Sequence, residues 1–451
     1  MKTYQDLVAV GERENNRMDF IIKAVQEHKG SPLYKIARDA EAYYAKRNVT
    51  IEKFQKVLYN MMGQSVPDLF SANYKLKTAF FRRFVLQQVM YVLSNGVNFE
   101  KDDTVEKLGA DFENKLSTLA KKAMVGSRSF GFWNYDHLEV FSFADTPNEP
   151  GFVPLYDEDT SQLRAGVRYS SNGASERYTL YEIDGYTEYI KRKDEDMQIL
   201  NEKRKYIQTI KQTEAGGVEA IEGSNYPGFP IIPMYANDLK QSEIVGIRES
   251  IDCYDFIKSG MANQIDDTSS IYWVLKGTGG MDDVDLQRFV ERMKVVKAVN
   301  LEPDMDAEAH TLDIPVAARE SILNRLRNDL YEDFMLLDTE KALSGDITAT
   351  GIRLAYQAQD DKCGDFEYHI REFIARLFAL LGIEDTPTFK WNRIANQTEE
   401  TNMVLSAAPY LDDEAVLKHL PWIMTDEVEE IMKRRAETEL ARFGNEPIVE
   451  E

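Results

Sequence analysis

At 451 residues the chain is too long for one ordinary core, so two or more domains are expected, and 43% hydrophobic with 29% charged residues is the composition of a folded protein. A net charge of −23 argues against a conventional nucleic-acid binder, whose affinity comes from neutralising phosphates with Lys and Arg. No uncharged apolar run reaches the ~18 residues of a membrane span. The opening MKTYQDLVAVGERENN lacks the apolar stretch of a signal peptide, and the two distant cysteines, Cys253 and Cys363, build no disulfide framework and point to a reducing compartment.

The N-terminal part reads as helical. "DFIIKAVQEHKG" ends at a glycine, and "SPLYKIARDAEAYYAKRN" opens with Ser-Pro, a cap and first-turn pair. "NYKLKTAFFRRFVLQQVMYVLSNGV" reads as one helix ending at Asn95-Gly96, and "FENKLSTLAKKAMVG" as another stopping at Gly126. The period then changes. "FGFWNYDHLEVFSFAD" shifts parity at Val140-Phe141, which implies either a bulge or a strand buried on both faces. "FVPLYDED", "LRAGVRYSS" and "RYTLYEIDGYTEYIKRK" continue as an antiparallel meander, and "KRKDEDMQILNEKRKY" is expected as a solvated hairpin or loop.

After Pro230 and Pro233, Asn237 or Asp238 is placed to cap a long helix. Ile244, Ile247, Ile251, Tyr254, Ile257, Met261 and Ile265 follow at steps of three or four, one apolar stripe on a helix from Asp238 to Asp267 of ~45 Å. A small α/β insert of about forty-five residues follows, within the size of a supersecondary unit. Pro315 closes it. A second long helix then carries Leu323, Leu326, Leu330, Phe334 and Leu337 in register. "TEKALSGDITATG" reads as an exposed loop. A third long helix runs through "IRLAYQAQDDKCGDFEYHIREFIARLFALLG", with Gly364 as a candidate kink. A strand, "TPTFKWNRI", and terminal helices complete the chain.

Chemical motifs are scarce. "LKGTGGMDD" lacks the Lys-Ser/Thr that a phosphate loop needs and reads as a turn. His28, His137, His310, His369 and His419 are scattered without metal-ligand spacing, and Cys363 and His369 lie six apart, off the spacing of helical neighbours. Acidic pairs such as Asp266-Asp267 and Asp360-Asp361 are expected to be solvated. No cofactor or metal is expected, and an enzyme is the weaker hypothesis. Two rivals remain open: a metal- or nucleotide-dependent enzyme with an unrecognised site, and a head-to-tail adaptor without DNA passage.

"FPIIPMYAND" with "SEIVGIRESIDCYD" behind it, "SGDITATGIRLAYQ", "FKWNRIANQTEETNMVL" and "DEAVLKHLPWIMTDEVEEI" stand in an order and spacing that resemble the portal proteins of tailed bacteriophages with long non-contractile tails. The resemblance is strongest from about Phe229 to Glu430. It implies an α+β, predominantly α fold: a wing over residues 1–237, stem helices over 238–269 and 316–339, a clip over 270–315, a tunnel loop over 340–351, a kinked wing helix and strand over 352–396 and a short crown over 397–451. It also implies a dodecameric homo-oligomer at one capsid vertex of the virion, made in the bacterial host cytoplasm. Double-stranded DNA would pass through its channel. The implied partners are the terminase large subunit, head-completion or adaptor proteins, and the major capsid and scaffolding proteins, with no membrane.

Under that resemblance Leu343, Ser344, Gly345, Asp346, Ile347, Thr348, Ala349 and Thr350 would meet DNA at the constriction. Glu340 and Asp346 are acidic there, Lys341 is the only base, and Thr348 and Thr350 are placed for transient phosphate hydrogen bonds. Twelve copies multiply the −23 charge twelvefold, and an acidic wall would repel phosphates and keep DNA mobile. Arg288, Arg292, Lys294 and Lys297 form the densest basic run of the clip, a docking surface for an acidic partner. Arg319, Arg325 and Arg327 on the second stem helix would either face the lumen or pair between subunits. Asp329, Glu332 and Asp333 close by favour pairing.

Overall fold

The computed structural model describes residues 2–59, 64–68, 71–212, 218–267, 272–276, 285, 306–310, 316–338, 349–392, 397–420, 423, 428 and 430–437. Contacts divide the chain into two units. The first comprises Met1–Leu336 with Lys362–Lys390, the second Leu337–Asp361 with Trp391–Glu451.

The first unit opens with helices whose starts are written in their caps. In α1 (Tyr4–Val10) Thr3 and Asp6 form a reciprocal capping box. After α2 (Glu14–Gly30), Ser31 accepts from the Tyr34 amide at the head of α3 (Pro32–Tyr44), with proline in the first turn. Asn48 accepts from Thr50 and Ile51 to start α4 (Val49–Lys53). A short antiparallel pair, β1 (Val57–Tyr59) and β2 (Ser65–Pro67), follows. Next come α5 (Phe80–Leu93), β3 (Val97–Asn98), α6 (Asp102–Leu108) and α7 (Phe112–Gly126). The helix expected from Asn73 therefore begins only at Phe80, because residues 73–79 are committed to another partner described below.

The sheet contains β4 (Arg128–Asn134), β5 (His137–Ser142), β6 (Gly151–Tyr156), β7 (Leu163–Ser171), β8 (Ser175–Glu182), β9 (Gly185–Arg192) and β10 (Gln198–Arg204). After the hairpin of β11 (Ile207–Gln212) and β12 (Val218–Ser224), β13 (Ile231–Tyr235) joins β4, giving the order β10-β9-β8-β7-β6-β5-β4-β13. Neighbours are antiparallel except β5 and β6, which meet in parallel at Ser142 and Gly151. The charged stretch after β9 is thus a hairpin, with β10 at the sheet edge. The parity shift at Val140-Phe141 is no bulge: β4 and β5 pair without a break from Ser129–Ser142 to Asn134–His137, and β5 buries Leu138 and Ser142 on one face and Phe141 on the other.

That two-faced burial explains the unalternating sequence. Phe20, Ile21, Ala24 and Val25 of α2 pack on Val153, Leu155, Ala165 and Val167. Phe152, whose side chain alternates with those of Val153 and Leu155, joins an aromatic cluster with Phe130, Phe132, Phe141, Tyr181 and Tyr206. A Cβ at Gly166 would lie 2.1 Å from the Phe152 ring, so glycine there makes room for the ring. Beside these cores His28, fully buried, has Nε2 2.9 Å from the Phe143 carbonyl, and burial first of all pushes its pKa down to about 4, so the neutral ring donates.

The remaining elements of the first unit are α8 (Arg248–Asp267), β14 (Tyr272–Lys276), β15 (Asp306–His310) and α9 (Val316–Asp333), followed by α10 (Ala349–Leu381), which continues from the second unit into the first. α10 runs unbroken through Gly364. The strand expected in "TPTFKWNRI" shrinks to β16 (Thr388–Phe389), paired with β3. In the second unit are α11 (Gln397–Ala407) and α12 (Asp413–His419), the latter capped by Asp412, and residues 430–437 are helical. Leu417, Leu420 and Val428 pack there with Val404, Ile423, Ile431 and Met432. Helices and strands are segregated along the chain rather than alternating, an α+β fold in which helix exceeds strand.

Candidate functional site

The segment that stands out physically is the helical hairpin of α8 and α9. The two helices are in contact. At one end Phe80 of α5 meets Tyr254 of α8 at 5.0 Å, while Phe84 meets Tyr331 of α9 at 5.1 Å and Phe334 at 4.9 Å. The end of α8 and the beginning of α9 lead instead into β14 and β15, which pair antiparallel from Tyr272–His310 to Lys276–Asp306. The helices therefore run in opposite directions, and the strand pair lies between them in the chain.

Helix α8 is shorter than its sequence suggests. It has 20 residues and so rises about 30 Å, not ~45 Å. Asn237 does not cap it. Its Oδ1 accepts from the Gln241 amide at 3.2 Å and its Nδ2 donates to Glu243 Oε1 at 2.6 Å, which closes a turn. Gly246 at φ +94° follows, a backbone state that interrupts a helix and favours glycine.

The buried face of α8 also differs from the expected apolar stripe. Ile244, Ile247 and Ile251 are buried, but Ile265 is 59% exposed. Beyond Ile251 the buried positions are Asp255, Ser259 and Asn263, spaced by four. They hold residues 74–78 in an extended run along the helix. Thr78 N–H donates to Asp255 Oδ1 at 3.0 Å, Leu76 N–H to Ser259 Oγ at 3.0 Å, and Tyr74 N–H to Asn263 Oδ1 at 2.6 Å. Asn263 Nδ2 also donates to the Tyr74 carbonyl at 3.3 Å. Four helical residues rise about 6 Å and two extended residues about 6.6 Å, so the repeats nearly coincide. Lys75 and Lys77 point away and bond to the carbonyl and carboxylate of Glu52, at 2.9 and 2.6 Å. Asn48 Nδ2 completes the network at 3.0 Å from Asp255 Oδ2.

The expected site residues fare unevenly. Arg319 and Arg325 form no ion pair within the chain among the described residues, and their expected place at the lumen or in pairing between subunits involves neighbouring copies. Arg327 lies 5.8 Å from the Tyr331 ring centre. Ala349 and Thr350 form the first residues of α10. Leu343, Ser344, Gly345, Asp346, Ile347 and Thr348 lie outside the described residues, as do Glu340, Lys341, Arg288, Arg292, Lys294 and Lys297.

One grouping escaped the sequence reading. His369, 6% exposed, stands with Asp238 and Asp365, their ligand-type atoms all within 4.8 Å of one another. The available signal was Asp365 and His369 four apart on one helical face, whereas only Cys363 had been weighed as a partner for His369.

Residues 22–440 match the family model described as phage portal protein, SPP1 Gp6-like. The chain belongs to that portal family. The portal protein of Clostridium phage phiCD119 is 23% identical over 436 residues, covering 87% of this chain and 90% of that one. The portal protein of Bacillus phage SPP1 is 24% identical over 452 residues, covering 92% and 87%. Among solved structures, a chain from the neck of a native GTA particle, computed with C12 symmetry, aligns over 76% of this chain and 89% of that one, at 10% identity and a TM-score of 0.40. That structural likeness is loose. Membership of the portal family rests on the sequence match along nearly the whole chain.

Proposed function

We propose that this portal-family chain assembles as a dodecameric ring at a single capsid vertex, forming the channel through which double-stranded DNA is packaged and ejected. In this reading residues 1–237 belong to the wing, 238–269 and 316–339 to the stem, 270–315 to the clip, 340–351 to the tunnel loop, 352–396 to the returning wing segment and 397–451 to the crown. The clip, through Arg288, Arg292, Lys294 and Lys297, docks a terminase and later the head-completion proteins. The loop from Leu343 to Thr350 approaches DNA, and Arg319, Arg325 and Arg327 lie at subunit contacts or the lumen. The chain itself supplies no chemical energy.

The observation that carries this reading is the antiparallel hairpin, which leaves Phe256, Val316 and Ile322 exposed at 53%, 40% and 49% on its two rods. Apolar side chains along a rod favour burial against a neighbouring copy, and heterologous contacts repeated around an axis close a ring. The net charge of −23 per chain supports a wall that does not grip phosphates. Electron microscopy and native mass spectrometry of the purified full chain test the reading: rings of twelve with an axial hole are expected, and a compact monomer at micromolar concentration would overturn it. Deleting residues 344–349 should leave rings intact while packaging or DNA retention fails. Unchanged packaging would remove the loop from this role.

A further inference from the structure

We propose that Asp238, Asp365 and His369 form a binding site for one divalent transition-metal cation of the zinc, cobalt or manganese class, bolting the turn before α8 to α10. The imidazole carries the argument. His369 is 6% exposed, yet neither Nδ1 nor Nε2 has a hydrogen-bond partner among the described residues. A buried polar atom left unmade costs about 1–3 kcal/mol, so such a ring calls for a partner.

Nε2 faces the cluster, 3.4 Å from Asp238 Oδ1. Two ligands each ~2.1 Å from one ion at a tetrahedral angle stand ~3.4 Å apart, so this edge already has metal-site spacing. Asp365, one turn before His369 on α10, supplies the second carboxylate, and all three ligand atoms lie within 4.8 Å of one another. Asp238, 82% exposed, is free of packing and able to close the remaining distance by rotation. On the other side of the ring Glu372 Oε2 stands 4.0 Å from Nδ1, where an outer carboxylate orients a metal-bound histidine.

The electrostatics agree. Asp365 stands beside His369 and within electrostatic range of the Asp238 and Glu243 carboxylates, so like charges crowd there. Lys362 is itself engaged with Glu243 at 2.7 Å. A divalent cation relieves this crowding. One imidazole and two carboxylates suit a transition metal with water completing its shell, whereas calcium takes six to eight oxygens and magnesium keeps most of its own water.

The test uses the full chain, stripped with EDTA and titrated with Co2+ and Zn2+. Visible absorption of bound Co2+, metal analysis after dialysis and the thermal midpoint are the readouts. One ion per chain is expected, with nitrogen–oxygen ligand bands for Co2+, a raised midpoint and no displacement by equimolar Ca2+. His369→Asn and Asp365→Asn should abolish binding, and Glu372→Gln should weaken it about tenfold. Asp238→Asn removes only an exposed carboxylate, so it should keep the wild-type midpoint in EDTA and still lose at least about tenfold in affinity. His137→Ala, at a surface histidine beside Asp136, should change nothing. Failure to retain Co2+ or Zn2+ at sub-millimolar concentration would overturn the site, as would undiminished binding by Asp238→Asn.

Discussion

Replacing Asp255 tests whether α8 is held by polar register rather than by an apolar seam. Asp255 is fully buried and accepts from Thr78 N–H and Asn48 Nδ2. Asp255→Ala strands both donors at about 1–3 kcal/mol each. Part of that loss is returned, because burial pushes the Asp255 pKa up and removing the charge relieves that burial. A net loss of about 2–4 kcal/mol is expected. Asp255→Asn keeps one acceptor but turns an amide donor toward Asn48, whose own oxygen is committed to the Thr50 and Ile51 amides, so it should lose about 1–2 kcal/mol. Amide exchange with single-residue fragmentation is the assay. In the wild type Tyr74, Leu76 and Thr78 should be protected, while Lys75 and Lys77, whose amides have no partner among the described residues, exchange fast. Asp255→Ala should speed Thr78 by at least about tenfold, since 1.4 kcal/mol is one decade. The pH dependence has a definite sign. A carboxyl with a raised folded pKa contributes stability that is present below the unfolded value and lost as pH rises through the folded one, so the variant should lose that falling limb. Wild-type exchange at Thr78 in Asp255→Ala, or no alternation along residues 74–78, would refute the ladder.

His28 gives the opposite limb. Its folded pKa of about 4 lies below the unfolded value near 6.5, so its contribution is complete above ~6.5 and falls by up to about 3 kcal/mol as pH drops toward 4. Denaturant titrations across that window should show a slope that His28→Phe reduces. Gly166→Val should destabilise the sheet by about 2 kcal/mol or more, since a Cβ there would overlap the Phe152 ring, and the combined change with Phe152→Ala should cost less than the sum of the two alone. Phe334→Ala empties a site 1% exposed between the Phe84 ring and Lys362 Nζ, which stands 3.4 Å from its ring centre. A loss of about 3–5 kcal/mol by chemical denaturation is expected, and a loss under ~1 would show that α9 is not anchored there.

Local chemistry decided what the sequence made legible. The helix start at Ser31-Pro32 was legible because the cap acts within three residues, whereas Thr3, Asn48 and Asp412 cap by the same local chemistry and went unread. The sheet was legible from the run of Tyr, Val and Ile, though Val140-Phe141 left two explanations until the unbroken β4–β5 register chose between them. The errors came from long-range partners. Residues 73–79 look like the first turns of a helix, but their amides find side chains of α8, nearly two hundred residues away. The start of α8 was misplaced because Asn237 satisfies a turn as readily as a cap, and only Gly246 in the supposed helix hinted otherwise. The Asp238–Asp365–His369 cluster joins a loop to a distant helix, so its i,i+4 half was visible and its third member was not.

The two rods of the hairpin are tied to the rest of the first unit by unlike forces, and the difference has a mechanical meaning. Each bond of the α8 ladder is directional, so sliding the extended segment by one residue would present carbonyls where amides are needed, and sliding by two would leave a terminal rung empty. Apolar seams tolerate such slips far better, because dispersion and burial are not directional. The return helix α9 is held mostly that way, with Leu330 buried and Tyr331 and Phe334 against Phe84 beside one hydrogen bond from Arg83 Nη1 to Tyr331 Oη, while Val316 and Ile322 near its start stay exposed. Axial position is therefore fixed by α8 and rotational adjustment is left to α9.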